Sequence, residues 1–122
     1  MSRQVLYIDD NDDNLLIVRR VLRRDPGIIL RTASTGHDGL AAAASDPPAL
    51  ILLDLHLPDL TGVQVLRQLR AAPATAGVPV VILSGDSSRE TADALRAEGT
   101  AGFITKPMNI HDLMRSVVSY LG

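Results

Sequence analysis

The sequence predicts an α/β fold in which a parallel sheet is covered by helices on both faces. Short, almost wholly apolar runs alternate with segments of helical periodicity, and the connections between them are short. Runs that are apolar at every position are typical of parallel strands buried on both faces. Repeated strand–helix units of this kind pack with right-handed crossovers, which place all the strands in one sheet.

The predicted strands are bounded by Gly, Pro, Asp or Ser, and they span about Val5–Ile8, Ile29–Ala33, Ala49–Leu53, Pro79–Leu83 and Gly102–Thr105. The predicted helices follow them in turn and span about Asn14–Arg24, His37–Ser45, Val63–Ala72, Ser88–Glu98 and Ile110–Leu121. No internal repeat or low-complexity segment interrupts this alternation.

Several helix ends carry their own signals. The last helix has one apolar stripe at helical spacing between Ile110 and Leu121, and Asn109 is placed to cap it. Ser87 and Glu90 have the spacing of a capping box at the start of the fourth helix. Gly99 is placed to end that helix, because glycine adopts the left-handed conformation that many helices use at this point.

The composition is that of an ordinary globular domain. The 122 residues, 46% hydrophobic and 21% charged, suffice for one domain with its own core. A net charge of −2 provides no basic surface for nucleic acid, and the arginines at 19–20 and 23–24 fit a solvated helix face. No apolar run approaches the roughly 20 residues of a membrane span. We therefore expect one cytoplasmic domain, residues 1–122, without an output domain and without direct nucleic-acid or membrane contact.

Polar residues that could bind a ligand or take part in a reaction follow four of the strands. Asp9 and Asp10 come after the first strand, Asp54 after the third, Ser84 after the fourth and Lys106 after the fifth. In open α/β sheets, ligands bind outside the carboxyl ends of the strands, so these residues are expected to meet. Lys106 is the only lysine beside eleven arginines, which indicates a task that needs a compact ammonium.

Three carboxylates at one sheet edge require a cation. Two unit charges about 4 Å apart repel by about 4 kcal/mol at an effective dielectric of 20, and Lys106 supplies only one positive charge. Oxygen ligands without cysteine favour Mg²⁺ or Mn²⁺ over Zn²⁺. A metal, an ammonium and a hydroxyl around one aspartate would stabilise a phosphoryl group in transfer, with Asp54 as the nucleophile.

Each of these residues also has a purely structural interpretation. Asp9 and Asp10 are placed to cap the first helix, Ser84 to cap the fourth, and Asp54 to form a turn. Lys106 fits an ordinary exposed lysine. The first helix has further candidate caps at Asp12, Asp13 and Asn14. All these interpretations would have to coincide in strand order, which favours a shared site.

Four segments resemble the receiver domain of two-component response regulators. They are Ile8-Asp9-Asp10-Asn11, Leu53-Asp54-Leu55-His56-Leu57-Pro58-Asp59-Leu60-Thr61-Gly62, Leu83-Ser84-Gly85 and Phe103-Ile104-Thr105-Lys106-Pro107. They occur in the family's order along the whole chain. The resemblance implies a flavodoxin-like, doubly wound (βα)5 fold with strand order 2-1-3-4-5.

The resemblance also implies a role for each site residue. Asp54 would accept a phosphoryl group from a histidine kinase or a histidine phosphotransfer protein. Asp10 and Asp54 would bind Mg²⁺ together with the backbone carbonyl of His56, and Asp9 would act mainly through a metal-bound water. Lys106 would contact the phosphoryl oxygens. The chemistry would be limited to self-catalysed phosphorylation and dephosphorylation, so no enzyme activity on another substrate is expected.

Ser84 and Phe103 match the family's switch pair. Phosphorylation would draw the Ser84 hydroxyl inward, and the Phe103 ring would turn to fill the vacated space, which changes the face of the fourth helix, fifth strand and fifth helix. Because phenylalanine has no hydroxyl, its inward state could be favoured without phosphate. A buried core aromatic is the alternative interpretation. The resemblance further implies a cis Lys106–Pro107 bond, a downstream protein target and, in some family members, a phosphorylation-dependent homodimer.

Two positions are less typical of the family. The side chain of His56 either leans over the site or points to solvent, and Asp86 is placed to orient a hydrolytic water. The substitutions His56→Ala and Asp86→Ala are each expected to change the dephosphorylation rate.

An aspartyl-phosphate hydrolase is a rival function, but such enzymes have an aspartate where His56 stands. A receiver-like module that takes no phosphate is a second rival, and stand-alone regulators and hybrid kinases both remain open.

Overall fold

Five strands and five helices alternate in a computed structural model that describes residues 3–85, 89–106 and 109–121. The strands are β1 (Gln4–Ile8), β2 (Ile29–Ala33), β3 (Leu50–Asp54), β4 (Val80–Ser84) and β5 (Gly102–Thr105). The helices are α1 (Asp12–Leu22), α2 (Gly36–Ser45), α3 (Gly62–Ala71), α4 (Arg89–Ala97) and α5 (Ile110–Leu121). All paired strands are parallel, in the order β2-β1-β3-β4-β5. The predicted fold class and strand order are confirmed.

The sheet separates two apolar clusters, one on each face. The cluster beneath α1 and α5 consists of Val5, Tyr7, Val18, Val21, Leu22, Leu50, Leu52, Val81, Leu83, Ile104, Leu113 and Val117. The cluster beneath α2, α3 and α4 consists of Leu6, Ile8, Ala33, Ala43, Ile51, Leu53, Val65, Leu66, Leu69, Val80, Ile82 and Leu95. Successive strand residues point to opposite faces, so the apolar runs of β1, β3 and β4 supply both clusters.

The first helix begins earlier than its apolar periodicity predicts. The side chain of Asn11 accepts a hydrogen bond from the Asn14 backbone nitrogen at 3.0 Å, and the helix starts at Asp12. None of the acids proposed as caps takes this position. A short amide acceptor on an extended residue satisfies the first free N–H groups of the helix, and the carboxylates are left for other contacts.

Two other predicted helix ends are confirmed. Asn109 accepts from the backbone nitrogens of His111 and Asp112 at 2.9 and 3.2 Å, which caps α5. Gly99 has a φ of +91° after α4, the conformation that favours glycine. The predicted capping box at Ser87 and Glu90 involves a residue outside the described ranges.

The helix surfaces are polar with local exceptions. The four arginines between 19 and 24 are exposed, as expected for a solvated face of α1. The apolar stripe of α5 is only partly covered, because Leu113 and Val117 are buried whereas Ile110 and Val118 are each 41% exposed. In the described part of the chain, no helix is long and apolar enough to cross a membrane.

Candidate functional site

The sheet order brings the predicted site residues to one edge. Asp9 directly follows β1, and Asp54 is the last residue of the neighbouring strand β3. Ser84 ends β4 and pairs with Thr105 of β5. The backbone nitrogen of Lys106 donates to the Ser84 carbonyl at 2.8 Å, which extends the pairing to the lysine. The chain therefore delivers a hydroxyl and an ammonium to the edge that carries the carboxylates.

The three predicted aspartates form one cluster. One carboxylate oxygen from each of Asp9, Asp10 and Asp54 lies within 4.8 Å of the others. Asp9 is fully buried, Asp54 is 5% exposed, and Asp10 is exposed to solvent. A set of oxygen donors that is anchored in the core and open to water on one side fits a hard divalent cation, which keeps several water ligands.

Lys106 faces this cluster and not the solvent. Its Nζ lies 3.1 Å from Asp54 Oδ1 and 3.5 Å from Asp9 Oδ2, and its side chain is only 20% exposed. The interpretation of Lys106 as an ordinary surface lysine is therefore wrong. A buried pair of carboxylates requires a compensating charge, and the ammonium is shared between them.

The environment of Asp54 disfavours its ionised form. Burial raises the pKa of Asp54, and the nearby charge of Asp9 raises it further. A hydrogen bond and the charge from Lys106, and the backbone N–H of Leu55, act in the opposite direction but do not cancel the rise. An additional cation at the cluster would stabilise the ionised carboxylate, so the electrostatics of the site favour cation binding.

Asp9 is held by several donors. Its Oδ1 accepts from the Asn11 backbone nitrogen at 2.9 Å. Its Oδ2 accepts from the Tyr7 hydroxyl, from Asn14 Nδ2 at 3.2 Å and from Lys106. Tyr7 and Asn14 were not predicted as site residues. The signal for Tyr7 was present in the sequence, because residues two apart in a strand lie on the same face.

The Tyr7 phenol remains protonated beside this carboxylate. Burial raises the pKa of Tyr7 far above its usual value, and its hydrogen bond to Asp9 and the charges of Asp9 and Asp54 raise it further. The hydroxyl is therefore a permanent hydrogen-bond donor at neutral pH.

The loop after β3 closes tightly beside the cluster. His56 forms an isolated antiparallel bridge with Thr61, and the Gly62 nitrogen donates to the Leu55 carbonyl at 3.2 Å. An open cleft of about 420 Å³ lies here and is lined by Asp10, His56, Leu57, Pro58, Asp59 and Thr61. The His56 side chain is exposed and shares this cleft with Asp10, so it lies at the mouth of the site.

Asp59 ties this loop to the start of α2. Its carboxylate accepts from the backbone nitrogens of Gly36 and His37 at 2.7 and 2.9 Å, and His37 Nδ1 lies 2.5 Å from Asp59 Oδ2. The hydrogen bond from the His37 backbone, followed by that from Gly36, keeps the pKa of Asp59 well below its usual value. The prediction from sequence had assigned no role to Asp59, because the contact joins segments distant in the chain.

The two predicted switch residues occupy different environments. Ser84 is 5% exposed at the end of β4. Phe103 is half-buried against the cluster beneath α2, α3 and α4, and the Arg96 guanidinium of α4 lies 5.2 Å from the ring centroid. Phe103 is therefore placed between the core and α4. Asp86 and Pro107, for which a hydrolytic role and a cis bond were predicted, lie outside the described residues.

Comparisons with known proteins agree with this arrangement. The model of the response regulator receiver domain matches residues 5–118. The polar-differentiation response regulator DivK of Brucella ovis is 27% identical over 122 residues, which cover 100% of this chain and 98% of that protein.

Solved structures share the whole fold. The chemotaxis response regulator CheY4 of Vibrio cholerae superimposes with a TM-score of 0.89 at 26% identity, over 98% of this chain and 99% of CheY4. The Mn²⁺-bound response regulator Rcp1 gives 0.83 at 26% identity, over 96% of this chain and 90% of Rcp1. Because the family match runs from β1 into α5 and these relatives share the sheet and its helices, the chain belongs to the response regulator receiver domains of two-component signalling.

Proposed function

We propose that this receiver domain accepts a phosphoryl group on Asp54 and that the modification switches a protein-binding surface. The observation that carries the proposal is the Lys106 ammonium, 3.1 Å from Asp54 Oδ1 within a cluster of three carboxylates. Transfer of a phosphoryl group spreads negative charge over its oxygens, and fixed positive charge beside the acceptor stabilises it. A nearly buried aspartate with its own cation is suited to this task.

The proposed transfer joins an Asp54 oxygen to phosphorus. The carboxylate attacks the phosphorus of a phosphohistidine, a P–O bond forms, and the P–N bond breaks. The histidine nitrogen leaves with the electron pair of the P–N bond and takes up a proton from water. Hydrolysis of the aspartyl phosphate later restores the carboxylate and releases inorganic phosphate. The chemistry is therefore limited to the phosphorylation and dephosphorylation of the domain itself.

Asp10 and Asp54, with the backbone carbonyl of His56, would hold Mg²⁺ or Mn²⁺ at this site. The all-oxygen donor set fits these cations, and Rcp1 at 26% identity is a Mn²⁺-bound relative. When bound, the cation neutralises charge on the phosphoryl oxygens. Asp9 would contribute its negative charge from behind the two ligands, as its complete burial suggests.

Lys106 and Ser84 would contact the modified Asp54 from the neighbouring strands. Lys106 already donates to Asp54, and the phosphoryl oxygens would replace this carboxylate oxygen as its acceptor. Ser84 lies at the end of β4, where its hydroxyl can turn towards the acceptor. Movement of Ser84 would free space for Phe103, which lies between the core and α4.

A histidine kinase or a histidine phosphotransfer protein is the proposed donor. Receiver domains generally act with such proteins, and α1 and α5 both begin at the sheet edge that carries Asp54. Ile17 in the middle of α1 and Ile110 at the start of α5 are 40% and 41% exposed. With Arg20 and Arg24 they line a groove of about 240 Å³. An apolar patch rimmed by positive charge on α1 and α5 supports docking of a protein donor.

The output is proposed to pass through the face of α4, β5 and α5. This face carries Phe103 and Arg96, and a cleft of about 350 Å³ between β5 and α5 is lined by Phe103, Thr105, Asn109 and Asp112. The target would be another protein in the cytoplasm, or a second copy of the domain in a phosphorylation-dependent homodimer. Direct nucleic-acid binding and enzyme activity on a separate substrate are not part of the proposal.

The test is phosphoryl incorporation from a small donor. The protein is incubated with acetyl phosphate and Mg²⁺, and intact-mass measurement should show the gain of one phosphoryl group. Asp54→Asn and addition of EDTA should each abolish the gain. Incorporation in the Asp54→Asn variant would contradict the assignment of the acceptor.

Beryllofluoride provides a second arm that needs no donor. It mimics the phosphoryl group of an aspartyl phosphate, so an intact site should bind it in the presence of Mg²⁺. Binding without incorporation would indicate a domain that takes phosphate only from its kinase. Failure of both would favour the rival function, a receiver-like module that binds partners without phosphate.

A further inference from the structure

Asp9 differs from its two neighbours in how its charge is compensated. Asp10 is exposed to water and Asp54 lies 3.1 Å from Lys106, whereas Asp9 is fully buried and accepts from several donors besides Lys106. Both oxygens of Asp9 are occupied by protein donors, and Oδ2 alone receives Tyr7, Asn14 and Lys106. Hydrogen bonds to an ionised group are about twice as strong as those between neutral groups. The protein therefore supplies much of the stabilisation that a cation would otherwise provide.

Tyr7 makes this contact from inside the core. Its ring belongs to the cluster beneath α1 and α5, where the other described buried members have purely apolar side chains. The ring holds the hydroxyl at the polar end of β1, two residues before Asp9, on the same face of the strand. A buried tyrosine hydroxyl needs an acceptor, and the Asp9 carboxylate is the acceptor it has.

We propose that Tyr7 is a positioning residue of the metal site, which shares with the bound cation the compensation of the Asp9 charge. The inference rests on the proposed function, because it concerns the same cation site. The O–H dipole of Tyr7 points at Asp9 Oδ2, and this hydrogen bond keeps the Asp9 carboxylate oriented towards Lys106 and Asn14. Asp10 and Asp54 are then left as the direct carboxylate ligands, and the affinity for the cation is moderated.

The proposal predicts a specific response to removal of one oxygen atom. Tyr7→Phe keeps the ring in the core and removes the donor to Asp9. The metal-free protein should be less stable, because a buried carboxylate loses a hydrogen bond. A bound cation can compensate the uncovered charge, so the variant should bind it about three-fold or more tightly. A role of Tyr7 in packing alone would leave the affinity unchanged or weaken it.

Mn²⁺ is the probe for the experiment. Free Mn²⁺ is quantified by its electron paramagnetic resonance signal during titration of the full chain at pH 7, and thermal unfolding is recorded with and without the metal. Tyr120→Phe is the matched control, because the Tyr120 hydroxyl donates to the Ala101 carbonyl at 3.0 Å and not to a carboxylate of the cluster. This control should bind Mn²⁺ as the wild type does.

A second variant keeps the test informative if Tyr7→Phe fails to fold. Asn14→Ala removes the amide donor to the same oxygen from the half-buried first turn of α1, outside the core. It should also tighten Mn²⁺ binding, and the stabilisation by Mn²⁺ should be larger in both variants than in the wild type.

The outcomes separate this inference from the proposed function. If the wild type binds Mn²⁺, Asp54→Asn weakens binding and the Tyr7 and Asn14 variants bind no more tightly than the wild type, the role of Tyr7 is overturned and the proposed site stands. If the wild type binds no Mn²⁺, both are overturned.

Discussion

Lys106 Nζ lies 3.1 Å from Asp54 Oδ1 and 3.5 Å from Asp9 Oδ2, so one ammonium serves two buried carboxylates. The backbone of the same residue is fixed by its hydrogen bond to the Ser84 carbonyl at 2.8 Å. The positive charge is therefore in place before any phosphoryl group or divalent cation arrives. Preorganised charge of this kind stabilises a transition state without reorganisation at the moment of reaction.

Lys106→Arg should slow phosphoryl incorporation although it keeps the charge. A planar guanidinium is larger than an ammonium and cannot take the same position between two carboxylates. We expect the rate of mass increase with acetyl phosphate and Mg²⁺ to fall by at least about ten-fold, equivalent to about 1.4 kcal/mol. Arg115→Lys, an exchange at an exposed position of α5, serves as the control. Incorporation by Lys106→Arg at the wild-type rate would refute the need for a compact cation.

Asp54→Asn should stabilise the metal-free protein at neutral pH. Burial and the charge of Asp9 raise the pKa of Asp54 in the folded state above its unfolded value. The folded protein then holds the proton more tightly, so stability falls as the pH rises from the unfolded pKa through the folded one. The neutral amide removes this loss, and we expect a gain of roughly 1 kcal/mol at pH 7, or about 4 °C in Tm.

Thermal unfolding at several pH values checks whether Asp54→Asn gains stability as expected. The advantage of Asp54→Asn should shrink as the pH falls through about 4, the usual pKa of an unfolded aspartate, because below it the wild-type carboxylate is protonated in both states. Saturating Mg²⁺ should also remove it, because the cation stabilises the ionised wild type. A variant that is less stable than the metal-free wild type at pH 7 would show that the Lys106 contact outweighs burial.

Arg70→Ala should destabilise the fold more than a typical surface substitution. The Arg70 guanidinium donates to the Val78 carbonyl at 2.8 Å and to the Gly99 carbonyl at 3.0 Å, and so joins the end of α3 to the end of α4. Loss of these contacts leaves several carbonyls without a donor, and we expect a cost of about 2 kcal/mol in chemical denaturation.

Arg67→Ala is the matched control on the same helix. Its side chain is 63% exposed and forms a single surface ion pair with Glu98, so the expected cost is below about 1 kcal/mol. Arg70→Lys should recover little stability, because an ammonium cannot span the carbonyls that the guanidinium fork reaches. Equal effects of the Arg67 and Arg70 variants would contradict the structural role of Arg70.

The Phe103 ring should respond to occupation of the acceptor. Phe103 is the only phenylalanine in the chain, so selective labelling gives one set of ring signals in nuclear magnetic resonance. We expect these signals to shift when beryllofluoride and Mg²⁺ are added. Arg96→Ala, which removes the guanidinium 5.2 Å from the ring centroid, should shift them before the addition. Unchanged signals on addition would mean that Phe103 is a core aromatic and no switch.

His56→Ala should accelerate loss of the phosphoryl group. The side chain lines the cleft beside Asp10, and its removal opens the mouth of the site to water. We expect a several-fold faster decay of the phosphorylated protein, followed by intact mass after the donor is removed. From its position in the sequence two residues after Ser84, Asp86→Ala is predicted to change the same rate. Unaltered decay in both variants would defeat the idea that these side chains control hydrolysis.

Much of the fold could be predicted because local pattern and global topology agree. Every strand lies within one residue of its predicted position, and β2 and β5 match their predicted bounds. The central strands β1, β3 and β4 are almost wholly apolar, so their ends are visible where polar residues appear. The start of α1 could not be placed as well, because Asn11 competes with several neighbouring acids for the same capping role.

The sequence by itself determined which chemical groups stand at the strand ends: three aspartates, a serine and a single lysine in strand order. Only the tertiary structure decided how their charges are compensated. It brought the hydrogen-bond donors of Tyr7 and Asn14 to the Asp9 carboxylate. It also joined Asp59 to the start of α2 by hydrogen bonds and packed the Arg96 guanidinium over the Phe103 ring. The physical reason is that the spacing of apolar residues and the polarity at strand ends are local patterns, which can be recognised along the chain. Hydrogen bonds between separate elements depend on the register and packing that the folded sheet imposes.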